Sequence, residues 1–170
     1  MRSRRLPEAN TPSDKINFTD VSISIAALCP PGSKEGELNN PSGITTHPET
    51  SNIYITDSHN HRVQIFDPDG NFISTFHNDV IMHEPCGICI FEDRVFITQN
   101  PGHFIMVFRE DGTFIQRFGK QGRDNPGEFI HPYDIEIDRT NGDIYICDLL
   151  NDRYKSIQET IILKLCLNLS

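Results

Sequence analysis

Residues 36–62 and residues 127–153 carry one pattern twice, at a constant offset of 91 (127 − 36 = 91; 153 − 62 = 91) and without a gap across 27 positions. Gly36-Glu37-Leu38 answers Gly127-Glu128-Phe129, and Pro41 answers Pro132. Asn52-Ile53-Tyr54-Ile55-Thr56-Asp57 answers Asp143-Ile144-Tyr145-Ile146-Cys147-Asp148, and Asn60-His61-Arg62 answers Asn151-Asp152-Arg153. A weaker copy lies between them. Pro85 follows Pro41 by 44 (85 − 41) and precedes Pro132 by 47 (132 − 85), and the Gly70 turn recurs 42 positions on at Gly112. Self-similarity with a period in the forties marks an array of one small unit that buries its apolar faces against its neighbours.

Each unit reads as four short strands, a to d. Gly43-Ile44-Thr45-Thr46 is a short apolar-polar run closed by the turn at 47–50. Residues 52–57 and 62–66 alternate, and Asp67-Pro68-Asp69-Gly70 reverses the chain into 71–76. Period-2 alternation rich in Ile, Val, Phe and Tyr, cut by Asp-Gly and Pro turns, predicts antiparallel hairpins. Four strands in each unit of this length match one blade of a β-propeller. The expected fold is therefore all-β, a partial propeller with two complete blades (about 41–80 and 85–119) and partial ones at both ends. A β-sandwich would not need the same residues back at a fixed offset.

The 91-residue register also divides the chain. It places residues 23–27 on Phe114–Phe118, the fourth strand of the second blade, so the chain is expected to begin inside a blade. After Arg153 the template weakens, and Ser156 to Ile161 replace the segment that ends in the Asp-Pro-Asp-Gly turn. The expected division is an arm or linker over 1–17, the repeat array over 18–155, and an off-pattern apolar tail over 156–170, read as foreign to the array, with a capping strand as the rival reading. Six blades of ~44 residues would need ~260, so this length is expected to fall short of a closed ring of that size.

The formal net charge of −9 argues against indiscriminate polyanion binding while leaving room for a local basic patch. The basic start, Met1-Arg2-Ser3-Arg4-Arg5, lacks the apolar core of a signal peptide, and Val21 to Cys29 is too short to span a bilayer. Five cysteines in uneven spacing suit a reducing, cytoplasmic setting better than a disulfide framework. Cys86-Gly-Ile-Cys89 stands where the first unit has Ser42-Gly-Ile-Thr45, so the strand template accounts for it. Without a second pair it does not make a structural zinc site.

The most distinctive segment is Asp57-Ser58-His59-Asn60-His61-Arg62. Together with Ile44, Tyr54, Ile55 and the Asp-Pro-Asp-Gly turn, it resembles the NHL repeat. The resemblance covers about 28–153. It is close in the first unit, good in the third as far as Arg153, and degraded in the second, where Gln99 and Phe104 replace Asp and Arg. It implies a propeller, usually six-bladed, that serves as an interaction surface in a larger protein. The tripartite-motif NHL proteins are the best-known group; they carry a RING ubiquitin-ligase module upstream and bind RNA or protein through the propeller.

Two roles compete for the Asp/His/Arg segment. Asp57 with His59 and His61 has the residue types of a metal or acid–base site. Alternatively Asp57 ends strand b and Arg62 opens strand c, so the pair bridges a hairpin. The pair recurs as Asp148 and Arg153, whereas His59 and His61 become Leu150 and Asp152. A scaffold needs its residue in every blade and chemistry rarely does, which favours structure. The b–c loops (58–61, 100–103, 149–152) and d–a loops (28–40, 77–84, 119–131) then share one face. That face holds the candidate interaction residues Lys34, His59, Asn60, His61, His103, Lys120, Gln121, Arg123 and Leu149. The expected function is non-catalytic binding of protein or single-stranded RNA there, with no cofactor, metal, membrane or small-molecule substrate. The alternative is part of a six-bladed lyase- or lactonase-type propeller with an axial metal.

Overall fold

The computed structural model describes residues 29–157. The strand expected at 23–27, the arm over 1–17 and residues 158–170 of the expected tail lie outside the described residues. Strands β1 (Pro41–Thr46), β2 (Ile53–Asp57), β3 (Arg62–Phe66) and β4 (Phe72–His77) form one antiparallel sheet in sequence order. Strands β5 (Pro85–Phe91), β6 (Arg94–Gln99), β7 (Phe104–Arg109) and β8 (Phe114–Phe118) form a second. A short parallel pair, β9 (Lys120–Gln121) and β10 (Glu128–Phe129), leads into a three-stranded sheet of β11 (Pro132–Ile137), β12 (Ile144–Asp148) and β13 (Arg153–Ile157).

The repeated residues fix the repeated geometry. Pro41, Pro85 and Pro132 each begin a first strand, where the missing N–H costs no ladder bond. Each first strand then shifts register before Ile44, Ile88 or Ile135. Gly70 and Gly112 close the hairpin turns at φ of 86° and 83°, a conformation glycine adopts without a Cβ clash.

Alternation sends opposite faces of each sheet to different neighbours. Tyr54, Val63, Ile65 and Phe76 pack with Ile88, Ile97, Met106 and Phe108 between the first and second sheets. Phe96, Ile105, Val107 and Phe118 pack with Phe129, Ile135, Ile146 and Ile157 between the second and third. The second sheet is covered on both sides, so β5 to β7 read as nearly continuous buried runs. Two further devices hold adjacent sheets together. Thr56 Oγ1 donates to the Cys86 carbonyl at 2.6 Å, and Thr98 Oγ1 donates to the Tyr133 carbonyl at 2.8 Å. A Cβ on Gly43 would lie 2.4 Å from the Cys86 carbonyl oxygen, and one on Gly87 2.7 Å from the Tyr133 carbonyl oxygen. First strands therefore approach one another more closely than any side chain allows.

One boundary differs from the sequence reading. Strand β13 runs to Ile157, two residues past the expected division at 155. Ile157 takes the place of Phe66 (157 − 91 = 66) and is buried against the second sheet. The alternation outlasts the turn motif, and alternation is what a strand needs.

Candidate functional site

Asp57 is wholly shielded from solvent at the end of β2, where a carboxylate is tolerated only if its lone pairs are filled. Its Oδ1 accepts the Asn39 N–H at 2.6 Å. Its Oδ2 accepts Arg62 Nε at 2.8 Å, Asn60 Nδ2 at 2.9 Å and Gln64 Nε2 at 3.0 Å. Arg62 reaches on to the carbonyls of Lys34 and Glu37, and Asn60 to that of Gly32. The bridge therefore also anchors the d–a loop that leads into the first sheet. Asn60, expected on the interaction face, points inward as part of this anchor.

The third sheet repeats the arrangement with substitutions. Asp148 accepts the Ile130 N–H at 2.6 Å, Asn151 Nδ2 at 2.7 Å and Arg153 Nε at 2.9 Å. Lys155 stands in for Gln64 (155 − 91 = 64), and its Nζ donates to the carbonyls of Asn125 and Glu128. Burial and the neighbouring Arg153 lower its pKa.

In the second sheet Gln99 and Phe104 stand where the other sheets have Asp and Arg, so no charge pair bridges the hairpin. Gln99 ties the d–a loop instead: its Oε1 accepts the His83 N–H at 3.2 Å and its Nε2 donates to the His83 carbonyl. A primary amide is both donor and acceptor, so one Gln ties down the d–a loop without a charge pair.

The d–a loops also tie themselves. Glu37 accepts the Lys34 N–H at 3.0 Å. Glu128 accepts Asn125 Nδ2 at 2.9 Å and the N–H groups of Asp124 and Asn125, both at 3.1 Å. Bonds from the Asn125 side chain and N–H, with lesser contributions including Lys120, hold its pKa down to about 2.

Two of the three candidate histidines prove to be contacts between neighbouring repeats. His61 and His103 close their b–c loops at φ of 56° and 58°, as Asp152 does at 51°. His61 Nδ1 accepts the Glu84 N–H at 3.0 Å, and His103 Nδ1 accepts the His131 N–H at 3.1 Å. Each bond joins one repeat to the segment that opens the next. The His103 and His131 rings meet edge to face at 4.8 Å, and His61 and His83 at 5.7 Å. Desolvation and His131 lower the His103 pKa against the opposing pull of Asp148. His59 stays exposed, its Nε2 3.2 Å from Asn40 Nδ2. His83 and His131 were absent from the sequence candidates, although both fall in the d–a loops that face the b–c loops.

Lys34, Gln121 and Arg123 are exposed. The Lys120 ammonium lies 3.4 Å from Glu128, with its side chain 74% exposed. An Arg123 terminal nitrogen is 3.4 Å from the Leu150 carbonyl oxygen. Leu149 and Leu150 are 50% and 52% exposed on a b–c loop whose ends are fixed by Asp148. Among the described residues no group of three or more His, Cys, Asp or Glu side chains is placed to hold a metal ion. Cys86 and Cys89 are both buried, and burial raises both thiol pKa values. No described helix is long and apolar enough to cross a membrane.

The NHL-repeat family matches residues 38–66, and a family described as a 6-bladed beta-propeller matches residues 77–154. The fold is a partial β-propeller. Its first blade matches the NHL repeat, and the two matches support an NHL-repeat propeller. Solved structures agree on the fold. Virginiamycin B lyase from Staphylococcus aureus superposes with a TM-score of 0.54 at 21% identity, covering 71% of this chain and 38% of the other. A streptogramin B lyase gives 0.58 at 18% identity over 78% and 41%. A chain of the nidogen/laminin complex gives 0.57 at 20% identity over 71% and 45%. The chain thus spans less than half of each of these solved chains. No curated protein matches it in sequence.

Proposed function

We propose that this chain is a non-catalytic interaction module that binds a protein partner through its b–c/d–a loop face, within a larger cytoplasmic protein of the tripartite-motif NHL type. The observation that carries this reading is the exposed Leu149-Leu150 pair on a rigidly anchored loop. Apolar side chains held on a fixed scaffold gain contact area on binding while losing little entropy. The equivalent positions in the first blade are Ser58, buried with its hydroxyl on the Pro85 carbonyl, and exposed His59, and in the second Asn100-Pro101, so the chemistry exposed on this loop differs from blade to blade. Asp57 and Asp148 have their acceptor positions filled by scaffold donors, which supports a structural role for both. The enzyme alternative rests on likeness of fold to the two lyases, and fold does not carry activity with it.

Single-stranded RNA is the second reading, favoured by the exposed Lys34, Lys120 and Arg123. Lys120 is partly compensated by Glu128, and Arg62 and Arg153 are spent on the buried carboxylates. A fluorescein-labelled single-stranded RNA titrated at several salt concentrations separates the readings. A protein-binding module leaves the anisotropy flat. Saturable binding with a log–log salt slope near about −2, abolished by Lys120→Ala with Arg123→Ala, would overturn the protein reading.

A further inference from the structure

The second sheet departs from its neighbours at one place, where three positions change together. Gln99 stands where Asp57 and Asp148 stand, Gly102 where Asn60 and Asn151 stand, and Phe104 where Arg62 and Arg153 stand. The d–a loop that enters this sheet is also shorter. Gly70 to Pro85 is 15 positions and Gly112 to Pro132 is 20, a difference of five (20 − 15). The longer loop lays the Glu128 carbonyl across Arg153 and Lys155 of the third sheet. The shortened loop ties instead to the Gln99 amide, and a hollow of about 200 Å³ is left beside Phe104.

One wall of this hollow is apolar, formed by Val80, Ile81, Pro101 and Phe104. A Cβ on Gly102 would collide with the Phe104 ring, so the b–c loop runs directly over that ring. Val80 is 83% exposed, yet its turn is fixed on both sides. Asn78 Oδ1 accepts the Val80 N–H at 3.1 Å, the Asn78 carbonyl accepts the Met82 N–H at 2.8 Å, and the Met82 side chain is buried in the core. The sheets on either side each have four strands, so this exposure owes nothing to the ends of the array. The other wall is Arg117, which faces Met106 across β7 and β8 where the first sheet has Thr75 facing Gln64. Its guanidinium carbon lies 4.7 Å from the centroid of the Phe104 ring. Among the described residues this guanidinium makes no ion pair or hydrogen bond, and Asp79 in the adjoining loop is paired with His77 at 3.5 Å. Stacking holds the guanidinium plane and leaves its N–H groups free for a carboxylate.

We infer that this hollow docks a peptide segment of a protein partner, with an aliphatic side chain seated against Val80, Ile81 and Phe104 and an adjacent Asp or Glu carboxylate on Arg117. The site rests on the loop-face reading, because Val80 and Pro101 belong to the d–a and b–c loops, and it narrows that reading to one blade and one chemistry. Its volume is below the ~300–1,000 Å³ of small-molecule sites and suits one side chain rather than a cofactor. An apolar wall beside a single cation fits an aliphatic and acidic segment better than single-stranded RNA, which calls for a basic groove and successive stacking faces. The Asn78 turn and the Phe104–Arg117 stack are formed before binding, so little ordering opposes it.

Selection of a random heptapeptide display library on the full 170-residue chain tests this. The expected result is a set of peptides that share an aliphatic residue next to Asp or Glu. A fluorescein-labelled peptide of the recovered sequence should bind about tenfold or more weakly to Arg117→Gln and to Val80→Asp, and equally so when its own acid is replaced by the amide. Both substitutions lie at exposed positions, so each variant should melt as wild type does. Loss confined to these two variants supports the site even where Leu149→Ser with Leu150→Ser binds normally. Recovery of no peptide, of peptides without an acid, or of peptides indifferent to both substitutions would each overturn it. Indifference to both, joined to loss with the double leucine variant, would overturn this site and leave the loop-face reading standing. A labelled single-stranded RNA that binds through Arg117 where no peptide does would overturn it in favour of phosphate recognition.

Discussion

Arg62 Nε donates to Asp57 Oδ2 at 2.8 Å across a hairpin in which the carboxylate has no solvent exposure. Removing the carboxylate strands a partly buried guanidinium and frees the Asn39 N–H, Asn60 and Gln64. Such a deletion costs about 3–5 kcal/mol, which for a chain of this size is a fall of roughly 6–20 °C in melting temperature. Asp57→Ala is expected to lose that much in a thermal melt, against little change for exposed Glu49→Ala. Equal losses would assign the pair no structural weight.

Thr98 is the matching device between blades. Its hydroxyl accepts the Gly87 N–H and donates to the Tyr133 carbonyl, both at 2.8 Å. Thr98→Val leaves both buried groups unpaired at about 1–3 kcal/mol, and Thr98→Ser restores most of it. Urea midpoints should fall for Val and recover for Ser at constant m-value. A Ser variant no better than Val would attribute the loss to packing.

Strand positions and the recurring Asp/Arg pairs were legible because both depend on local spacing. Residues 52–57 and 62–66 alternate whatever surrounds them, and Asp57 must face Arg62 once the hairpin forms. The histidine contacts were not legible. His61 and His103 reach the next blade only because their backbones turn left-handed at the end of the b–c loop, which aims Nδ1 at Glu84 or His131. Those partners lie 23 and 28 residues further on. The loop anchor at Gln99 was not legible for a related reason. Read against Asp57 it lacks a charge, but its amide makes both bonds with the His83 backbone, which spacing does not reveal. The continuation of β13 to Ile157 was not legible because the alternation persists there without the turn motif that closes the equivalent strand of the first unit.

His103 gives a pH dependence of definite sign. Its folded-state pKa lies below the ordinary 6.5, because burial and His131 disfavour the charged ring. The unfolded chain therefore binds the proton more readily, and the stability His103 contributes is present above pH 6.5 and lost as pH falls through its lowered folded value. Protonation of Nδ1 would also remove the acceptor for the His131 N–H. Melting temperature should decline below pH 6.5, and His103→Asn, which tolerates the left-handed backbone, should flatten that decline. Superimposable wild-type and variant profiles would remove His103 from this role.

The central claim concerns the loop face, and the most direct measurement compares the two faces in one capture experiment. The chain is immobilised as wild type, as Leu149→Ser with Leu150→Ser, and as Asp69→Ala on the opposite turns, and retained proteins from a cell extract are quantified for each. The account predicts that proteins retained by wild type are lost from the double leucine variant and kept by Asp69→Ala. Retention that survives the leucine changes and disappears with Asp69→Ala would contradict it.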